Sequence, residues 1–192
     1  TIIFNASLLA SRLLSRVSIM THENELLEPA KRSVDFCCNS QNNDGSWYYG
    51  SSKYHKWIDS FHKGYNLVSL SDYIKFSGDK SHEINLARGF EYYINNFFTS
   101  DGIPKYYRDS VFPIDPHSAA QLIITLSKLD LIMKHGELAE KVLIWVIDKM
   151  QSEDGFFYYQ RNRFFLSRIP YMRWTQAWMF YAMSEMLINA RN

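Results

Sequence analysis

The feature that most constrains the fold is an internal repeat of about 55 residues. Asp-Gly, followed within a few residues by paired aromatic side chains, occurs at Asp44, Asp101 and Asp154, with spacings of 57 and 53 residues. Glycine adopts positive φ at little cost, and aspartate bonds readily to the backbone ahead of it, so each copy predicts a tight turn. A regular period of this length is typical of proteins built from stacked helical or sheet units.

Two kinds of predicted helix alternate around these turns. Apolar residues at three- and four-residue spacings, with charges between them, predict amphipathic helices before the turns at 26–38, 84–98 and 138–150. More uniformly apolar segments predict helices that are buried on most sides, at 5–17, 61–76, 118–133 and 175–188. The order is therefore buried helix, amphipathic helix, turn, and then a buried helix again.

This alternation predicts an all-α fold of the α/α-toroid class, in which buried inner helices alternate with amphipathic outer helices. The chain supplies about three and a half helical hairpins, so we predict one domain, 1–192, that is an incomplete toroid and the C-terminal part of a longer one. The turns and the N-terminal ends of the inner helices would then share one rim. The end hairpins of such an arc would lack neighbours, which predicts exposed apolar surface and self-association.

Composition and charge exclude several functions. The chain has 21 Lys and Arg against 20 Asp and Glu, without a long basic run, so we expect no nucleic-acid partner. The apolar runs fall short of the ~20 residues that cross a bilayer, so no transmembrane segment is predicted. The neighbouring Cys37 and Cys38 cannot build a disulfide framework, and the sequence has no signal-peptide pattern. We therefore expect a cytoplasmic location.

Two motifs on the predicted rim place aspartate shortly before histidine. Asp59 and His62 lie three residues apart, and Asp115 and His117 lie two apart. A histidine there is suited to bonding a hydroxylated ligand or to moving protons, so both are candidate catalytic residues. Each aspartate is either a catalytic carboxylate or the N-cap of its helix, and the sequence leaves both interpretations open.

A third rim segment carries a cation instead. Arg173 begins the last buried helix beside Trp174. The planar guanidinium group binds two oxygens of a carboxylate or phosphate at once, which makes Arg173 a further catalytic candidate. The alternative is a structural salt bridge between Arg173 and Asp115.

Further rim residues are candidates for ligand contact. Amide side chains recur 55 residues apart near the starts of the buried helices, at Asn66, Gln121 and Gln176. They contact either a ligand or neighbouring loop backbones. Aromatic rings that are suited to stacking on a sugar complete the set: Trp47, Tyr65, Tyr107, Tyr171 and Trp174. We expect at least one ring of each aromatic pair to pack beneath its loop.

Motifs for cofactors and metals are absent from the sequence. It has no glycine-rich phosphate loop, no Cys or His spacing typical of metal ligands and no serine-hydrolase elbow. We therefore predict neither a cofactor nor a metal.

Four motifs together resemble a bacterial family of α/α-toroid proteins encoded among exopolysaccharide and capsule biosynthesis genes. They are Asn5-Ala-Ser-Leu-Leu-Ala-Ser11, Gln41-Asn-Asn-Asp-Gly-Ser-Trp-Tyr-Tyr-Gly50, Ile114-Asp-Pro-His-Ser-Ala-Ala-Gln121 and Tyr171-Met-Arg-Trp-Thr-Gln-Ala-Trp178. The chain is more distantly similar to six-hairpin glycosidases and glucuronyl C5-epimerase domains. Its Gln-x-x-Asp-Gly-x-Trp turn also resembles repeats of terpenoid cyclases and protein prenyltransferases.

The resemblance implies a carbohydrate-binding or carbohydrate-processing role in making bacterial surface polysaccharide, with an oligo- or polysaccharide as partner. Hydrolysis would use Asp59 and Asp115 as the two carboxylates beside the scissile bond. Epimerisation or elimination at a uronic acid would use Arg173 for the sugar carboxylate and His62 or His117, with a tyrosine, as the base. The alternatives are a non-catalytic scaffold module of a polysaccharide-assembly complex and an isoprenoid-binding enzyme of the cyclase type. The polar rim disfavours the last of these.

Overall fold

The computed structural model describes residues 1–190, and this part of the chain is mostly helical. The helices are α1 (Phe4–Thr21), α2 (Leu27–Asn39), α3 (Ser60–Ser77), α4 (Glu83–Phe97), α5 (Pro116–Lys128), α6 (Ile132–Met150) and α7 (Ala177–Asn189). Short 3₁₀ turns occur at Asn24–Leu26 and Lys53–His55, and a π-helical turn, Met172–Gln176, leads into α7. One small antiparallel hairpin pairs β1 (Gln160–Arg161) with β2 (Leu166–Ser167). The predicted helices are thus confirmed.

The chain divides into two compact units, Thr1–Ile94 and the residues from Asn95 onward. In the first unit, α1 packs against both α2 and α3, while in the second unit α5 packs against α6 and α7. The boundary falls near the C-terminal end of α4. None of the helices within residues 1–190 has both the length and the hydropathy of a membrane span.

The junction between α5 and α6 differs from its predicted bounds. The predicted helix 118–133 ends at Lys128, and α6 begins at Ile132. Helix α6 is kinked at His135, with φ of −118° and ψ of 20°, so its regular part begins close to the predicted residue 138. Asp130 lies between α5 and α6 in the left-handed region, with φ of 56°. Aspartate tolerates the left-handed conformation because its short side chain forms hydrogen bonds with the nearby backbone. A residue in this conformation ends a right-handed helix.

The four helices that the sequence predicts to be buried differ in how much of their surface is covered. Helices α3 and α5 bury almost every side of their surface, as predicted. Helix α1 instead buries small serines, Ser11 and Ser15 among them, and leaves Leu13 61% exposed, while α7 leaves Leu187 63% exposed. The prediction that these two helices are buried on most sides is therefore wrong. Their main packing partners in the described part of the chain cover only one face of each.

The three Asp-Gly turns share one backbone geometry, as predicted. Gly45, Gly102 and Gly155 have φ of 89°, 82° and 89°. Each glycine amide donates to the carbonyl three residues before it, at 2.9 to 3.0 Å. A positive φ of this kind strains any residue with a Cβ, so the repeated glycine is required by the turn itself.

Candidate functional site

The start of α3 holds the first candidate site. Asp59 is the N-cap of α3, and its Oδ1 accepts the backbone N–H of His62 at 2.9 Å. The His62 ring also returns to this carboxylate, with Nδ1 at 2.8 Å from Oδ2. The N-cap interpretation of Asp59 is therefore confirmed, and the same carboxylate also pairs with the His62 ring. The catalytic role of Asp59 stays a prediction.

An aromatic cluster surrounds this Asp59–His62 pair. Tyr49 and Trp57 stack with ring centroids 4.5 Å apart, and the Tyr49 ring meets the edge of His62 at 4.7 Å. Tyr65, a predicted ligand contact, lies 5.8 Å from the His62 ring. Trp57 is 39% exposed, so part of the stack is accessible to solvent beside a polar pair. An aromatic ring beside polar groups is suited to a sugar, which has an apolar ring face and hydroxyl groups at its edge.

Lys63 is a functional candidate that sequence reasoning missed. Its side chain is buried, and Nζ donates to the backbone carbonyl of Tyr48 at 3.4 Å. Burial lowers the Lys63 pKa to about 8, although the nearby Asp59 carboxylate acts in the opposite direction. No pattern in the sequence distinguishes this lysine from a surface lysine on a helix.

The start of α5 holds the second candidate site. Asp115 is the N-cap of α5, with Oδ1 accepting the backbone N–H of His117 at 2.9 Å. Its Oδ2 accepts the indole N–H of Trp174 at 3.0 Å. Burial raises the Asp115 pKa to about 6, outweighing the hydrogen bonds from Trp174, His117 and Gln160 that act to lower it. This carboxyl group therefore titrates close to neutral pH.

His117 does not return to its aspartate, unlike His62. Its buried ring stacks on Trp178 at 4.5 Å and meets the edge of Trp174 at 4.4 Å. The second site thus joins three of the predicted residues, namely Asp115, His117 and Trp174.

Two tyrosines extend this second site. The rings of Tyr159 and Tyr171 meet edge to face at 4.9 Å. Burial raises the Tyr159 pKa, and the negative charges of Asp115 and Tyr171 raise it further. Tyr171 was a predicted ligand contact, whereas Tyr159 and Gln160 were not singled out as site residues. The aromatic run that follows the third Asp-Gly turn was the available signal for Tyr159.

Arg173 lies apart from the buried core of this site. Its side chain is exposed, and it forms no ion pair with Asp115 in the structure described for residues 1–190. The salt-bridge alternative is therefore wrong, because the indole of Trp174 takes the carboxylate oxygen instead. An exposed guanidinium group beside Trp174 remains available to an anionic ligand.

The three repeated amides have three different environments. Gln176 holds the third turn, accepting the Phe157 N–H at 2.9 Å and donating to the carbonyl of the same residue at 2.6 Å. Gln121 donates to the Thr125 hydroxyl at 3.1 Å. Asn66 is buried, and its side-chain oxygen and nitrogen find no partner among the described residues. The loop-bonding interpretation thus holds for Gln176.

Two predicted aromatic contacts are placed very differently. Trp47 is 1% exposed, and its indole donates to the Cys37 carbonyl at 2.8 Å, so it is a core residue and not a surface for a ligand. Its position fits the expectation that one ring of each pair packs beneath the loop. Tyr107 is partly exposed and meets Tyr106 at 4.6 Å. Within residues 1–190, no group of three or more His, Cys, Asp and Glu side chains is placed to hold a metal ion.

Comparison with known proteins adds the fold class. No protein-family model and no curated protein matches the sequence. Among solved structures, an unsaturated glucuronyl hydrolase specific for heparin matches 100% of this chain and 60% of its own, at a TM-score of 0.76 and 15% identity. A polysaccharide lyase matches 99% of this chain and 62% of its own, at a TM-score of 0.76 and 11% identity.

A third solved structure extends the likeness to another substrate. The GH76 α-mannanase of Bacteroides thetaiotaomicron matches 99% of this chain and 53% of its own, at a TM-score of 0.70 and 13% identity. Identities this low carry the fold and not the activity. The chain therefore has an α/α-toroid fold, as these solved structures do, and it spans about 60% of the length of the first solved chains that it resembles.

Proposed function

We propose that the protein binds an oligosaccharide at the start of α5 and processes it with Asp115 as the proton donor. The observation that carries this proposal is the Asp115 carboxyl, whose pKa of about 6 is set by burial among aromatic rings. Acid–base catalysis is most efficient when the pKa of the group lies near the working pH. Strongly shifted carboxyl groups of this kind also cluster at functional sites.

The surroundings of Asp115 suit a sugar. Asp115 itself is buried, and its neighbours Trp174 and Tyr159 are half-buried, so a ligand would reach the carboxyl group past these two rings. Aromatic faces stack on the apolar face of a pyranose, and a tyrosine hydroxyl adds a hydrogen bond. The exposed Arg173, next in sequence to Trp174, supports an acidic sugar as the ligand.

The reaction type depends on which other groups act on the substrate together with Asp115. Glycoside hydrolysis takes a second carboxylate in addition to Asp115. Elimination or epimerisation at a uronic acid takes a base and a cation instead, for which Tyr159 or His117 and Arg173 are the candidates. The solved chains similar in fold include a glucuronyl hydrolase and a polysaccharide lyase, and glucuronate-containing glycans are therefore the substrates to test first. A role in bacterial surface polysaccharide synthesis is part of the same proposal.

A non-catalytic sugar-binding or scaffold module is the second candidate function. The observation that favours it is that both aspartates already serve as helix N-caps, with backbone donors at 2.9 Å. A binding module needs the aromatic faces and not the protonated carboxyl. The isoprenoid alternative gains no support from a site lined by Asp, His and Arg.

The Asp115→Asn variant separates these functions. Asparagine is also a good N-cap, so its oxygen keeps the bond to His117. The variant removes the titrating proton together with the bond from the Trp174 indole, because the amide NH2 group cannot accept it. Wild type and variant are incubated with glucuronate-containing oligosaccharides, with products followed by mass spectrometry and binding by calorimetry. Loss of turnover with binding retained supports the catalytic proposal. Binding without turnover in the wild type establishes the binding module, and absence of binding overturns both.

A further inference from the structure

The β1–β2 hairpin of the second unit presents two phenylalanines at its tip. Phe164 and Phe165 are 89% and 63% exposed. Both lie in the turn between the strands, which is closed by the Asn162 N–H donating to the Phe165 carbonyl at 2.8 Å. Single exposed apolar residues are common on protein surfaces, whereas adjacent aromatic rings left in water are typical of an interaction site.

The base of this hairpin is fixed to the body of the second unit. Arg161 of β1 exchanges two backbone hydrogen bonds with Ile114, the residue before Asp115, at 2.8 and 2.9 Å. The Tyr159 N–H donates to the Ser167 carbonyl of β2 at 3.0 Å. Both strands are therefore held by the backbone, and the tip has a defined place on the unit.

The exposed side chains of this segment are purely apolar. Ile169 and Met172, which follow β2, are 50% and 72% exposed. Neither they nor the two phenylalanines carry a hydroxyl or an indole N–H. The aromatic residues that contact sugars best are tyrosine and tryptophan, which add a polar group to a flat face. The hairpin tip is therefore better suited to hydrocarbon than to a glycan.

The charge of the same segment has one sign. Residues 155–184 contain four arginines and no lysine, aspartate or glutamate, although the whole chain has a net charge of only +1. Arg163 and Arg168 are exposed, and none of the four arginines forms an ion pair within residues 1–190. The Arg163 guanidinium carbon lies 5.5 Å from the centre of the Phe164 ring. Cationic and apolar groups are thus combined at the tip.

We propose that the β1–β2 hairpin docks on a membrane surface that contains anionic lipids. Phe164 and Phe165 enter the boundary between head groups and acyl chains, while Arg163 and Arg168 bind lipid phosphates. Apolar burial and attraction to anionic head groups are the two contributions that hold a protein on a membrane without a spanning segment. The four unpaired arginines are the observation that selects an anionic membrane over an uncharged apolar partner. This inference rests on the hairpin and not on the proposed activity of Asp115.

The first test measures binding of the 192-residue chain to lipid vesicles by flotation. One set of vesicles is pure phosphatidylcholine, and in the other set about one third of the lipid is phosphatidylglycerol. We expect the anionic vesicles to bind at least about tenfold more tightly, because basic residues gain affinity only at a negatively charged surface. This preference should decrease as salt is raised, since salt screens exposed charges.

The second test removes the apolar tip. Phe164→Gln combined with Phe165→Gln should weaken binding to the anionic vesicles at least about tenfold, because two buried rings are lost. Ile19→Gln combined with Met20→Gln is the matched control, since these neighbours on α1 are 54% and 71% exposed and should leave binding unchanged. All four positions are on the surface, so circular dichroism and thermal unfolding should show wild-type folding in both variants.

The third test removes the charges. Arg163→Gln combined with Arg168→Gln should weaken binding to the anionic vesicles about tenfold and reduce its salt dependence, while binding to phosphatidylcholine should stay as it is. Lys134→Gln combined with Lys149→Gln removes the same charge from exposed positions on α6 and should have little effect. Asp115→Asn should leave vesicle binding intact, so a failure of the proposed activity does not affect this result.

Four results overturn the proposal. The first is the absence of binding to the anionic vesicles, and the second is an equal loss from the variants of the hairpin and of α1. The third is that the phenylalanine variant leaves vesicle binding unchanged but loses affinity for a glucuronate-containing oligosaccharide, which would assign the tip to a glycan. The fourth is that this variant abolishes self-association without changing vesicle binding, which would place a second copy on the tip.

Discussion

The two units share two local motifs, an Asp–His helix start and an Asp-Gly turn, but the residues around these motifs differ. Each begins a buried helix with Ile-Asp followed by histidine, and in each an Asp-Gly turn precedes a buried helix. In the first unit the Asp59 carboxylate holds the His62 ring, whereas in the second the Asp115 carboxylate holds a neutral indole. The first unit covers Gly45 with α4, whereas Gly155 is open.

A difference of one residue in spacing explains why His62 and His117 make different contacts. His62 stands three residues after its N-cap, where a side chain lies next to the capping residue and reaches back to it. His117 stands two residues after its N-cap, which turns its ring about 100° away around the helix, in line with 3.6 residues per turn. The same short motif therefore gives a histidine–carboxylate pair in one unit and a histidine packed between two tryptophans in the other.

The largest expected effect concerns the turns. Gly45→Ala should cost about 4 kcal/mol of unfolding free energy, from a strained positive φ and overlap with the Arg88 carbonyl. Gly155→Ala has the same strain without a neighbour and should cost about 1 kcal/mol. Urea denaturation of both variants checks the difference. Equal losses would mean that α4 does not press on the first turn.

The next effect is the pH dependence set by Asp115. Its pKa is about 6 in the folded protein and 3.8 in the unfolded chain, so the native state binds more protons between these values. Stability is therefore lost as pH rises from about 4 to about 6, by up to about 3 kcal/mol, at 1.36 kcal/mol for each pKa unit.

The Asp115→Asn variant removes this titration. Its unfolding free energy, measured by denaturation at several pH values, should become larger relative to wild type as pH rises through that window. Asp148→Asn, at an exposed position on α6, is the matched control. If the difference in unfolding free energy between wild type and Asp115→Asn stays constant from pH 4 to 7, ionisation of Asp115 does not destabilise the folded protein.

A third prediction compares the histidines. His117→Ala removes a fully buried ring from between two indoles and should cost about 3 kcal/mol, as large-to-small core substitutions do. His62→Ala removes a partly exposed ring and should cost about 1 kcal/mol, the net value of a typical hydrogen bond. Thermal unfolding of both variants measures the difference. A larger loss at His62 would show that the His62–Asp59 pair contributes more to stability than the packing of His117 does.

The smallest effect concerns the buried lysine of the first unit. Burial lowers the Lys63 pKa to about 8 from 10.5, so its charged form costs stability below pH 8, and the cost fades as pH rises toward 10.5. Lys63→Met should stabilise the protein by about 1 kcal/mol at pH 7, after loss of the bond to Tyr48. The gain should shrink at alkaline pH. If Lys63→Met instead destabilises the protein at pH 7, the ammonium group makes contacts that outweigh its burial.

The helices and turns were largely predictable from the sequence because both depend on local pattern. The apolar spacing of α2, α4 and α6 and the glycine after each repeated aspartate fix structure within a few residues. The repeat alone also indicated the α/α-toroid class. The end of α5 was missed because Asp130 adopts a left-handed conformation that no periodicity reveals.

The candidate site was predictable only in part, since its contacts join distant residues. The sequence identified Asp115, His117 and Trp174. One of its two interpretations of Arg173 was a salt bridge with Asp115, but the partner of that carboxylate is the indole of Trp174. The burial that shifts the pKa of Lys63 and Asp115 depends on packing from several elements, which a motif does not encode. The catalytic and ligand-binding roles of the site residues, the expected self-association and the cytoplasmic location stay predictions.

The burial of the two cysteines makes their chemical labelling a measure of local opening in the first unit. Cys37 and Cys38 lie on the packed side of α2, and burial raises the pKa of each thiol to about 12. A thiolate is the form that reacts with alkylating and oxidising reagents, so both groups are inert while α2 stays in place. Their labelling rate consequently counts how often this helix opens, with no contribution from thiols elsewhere, since these are the only cysteines in the chain.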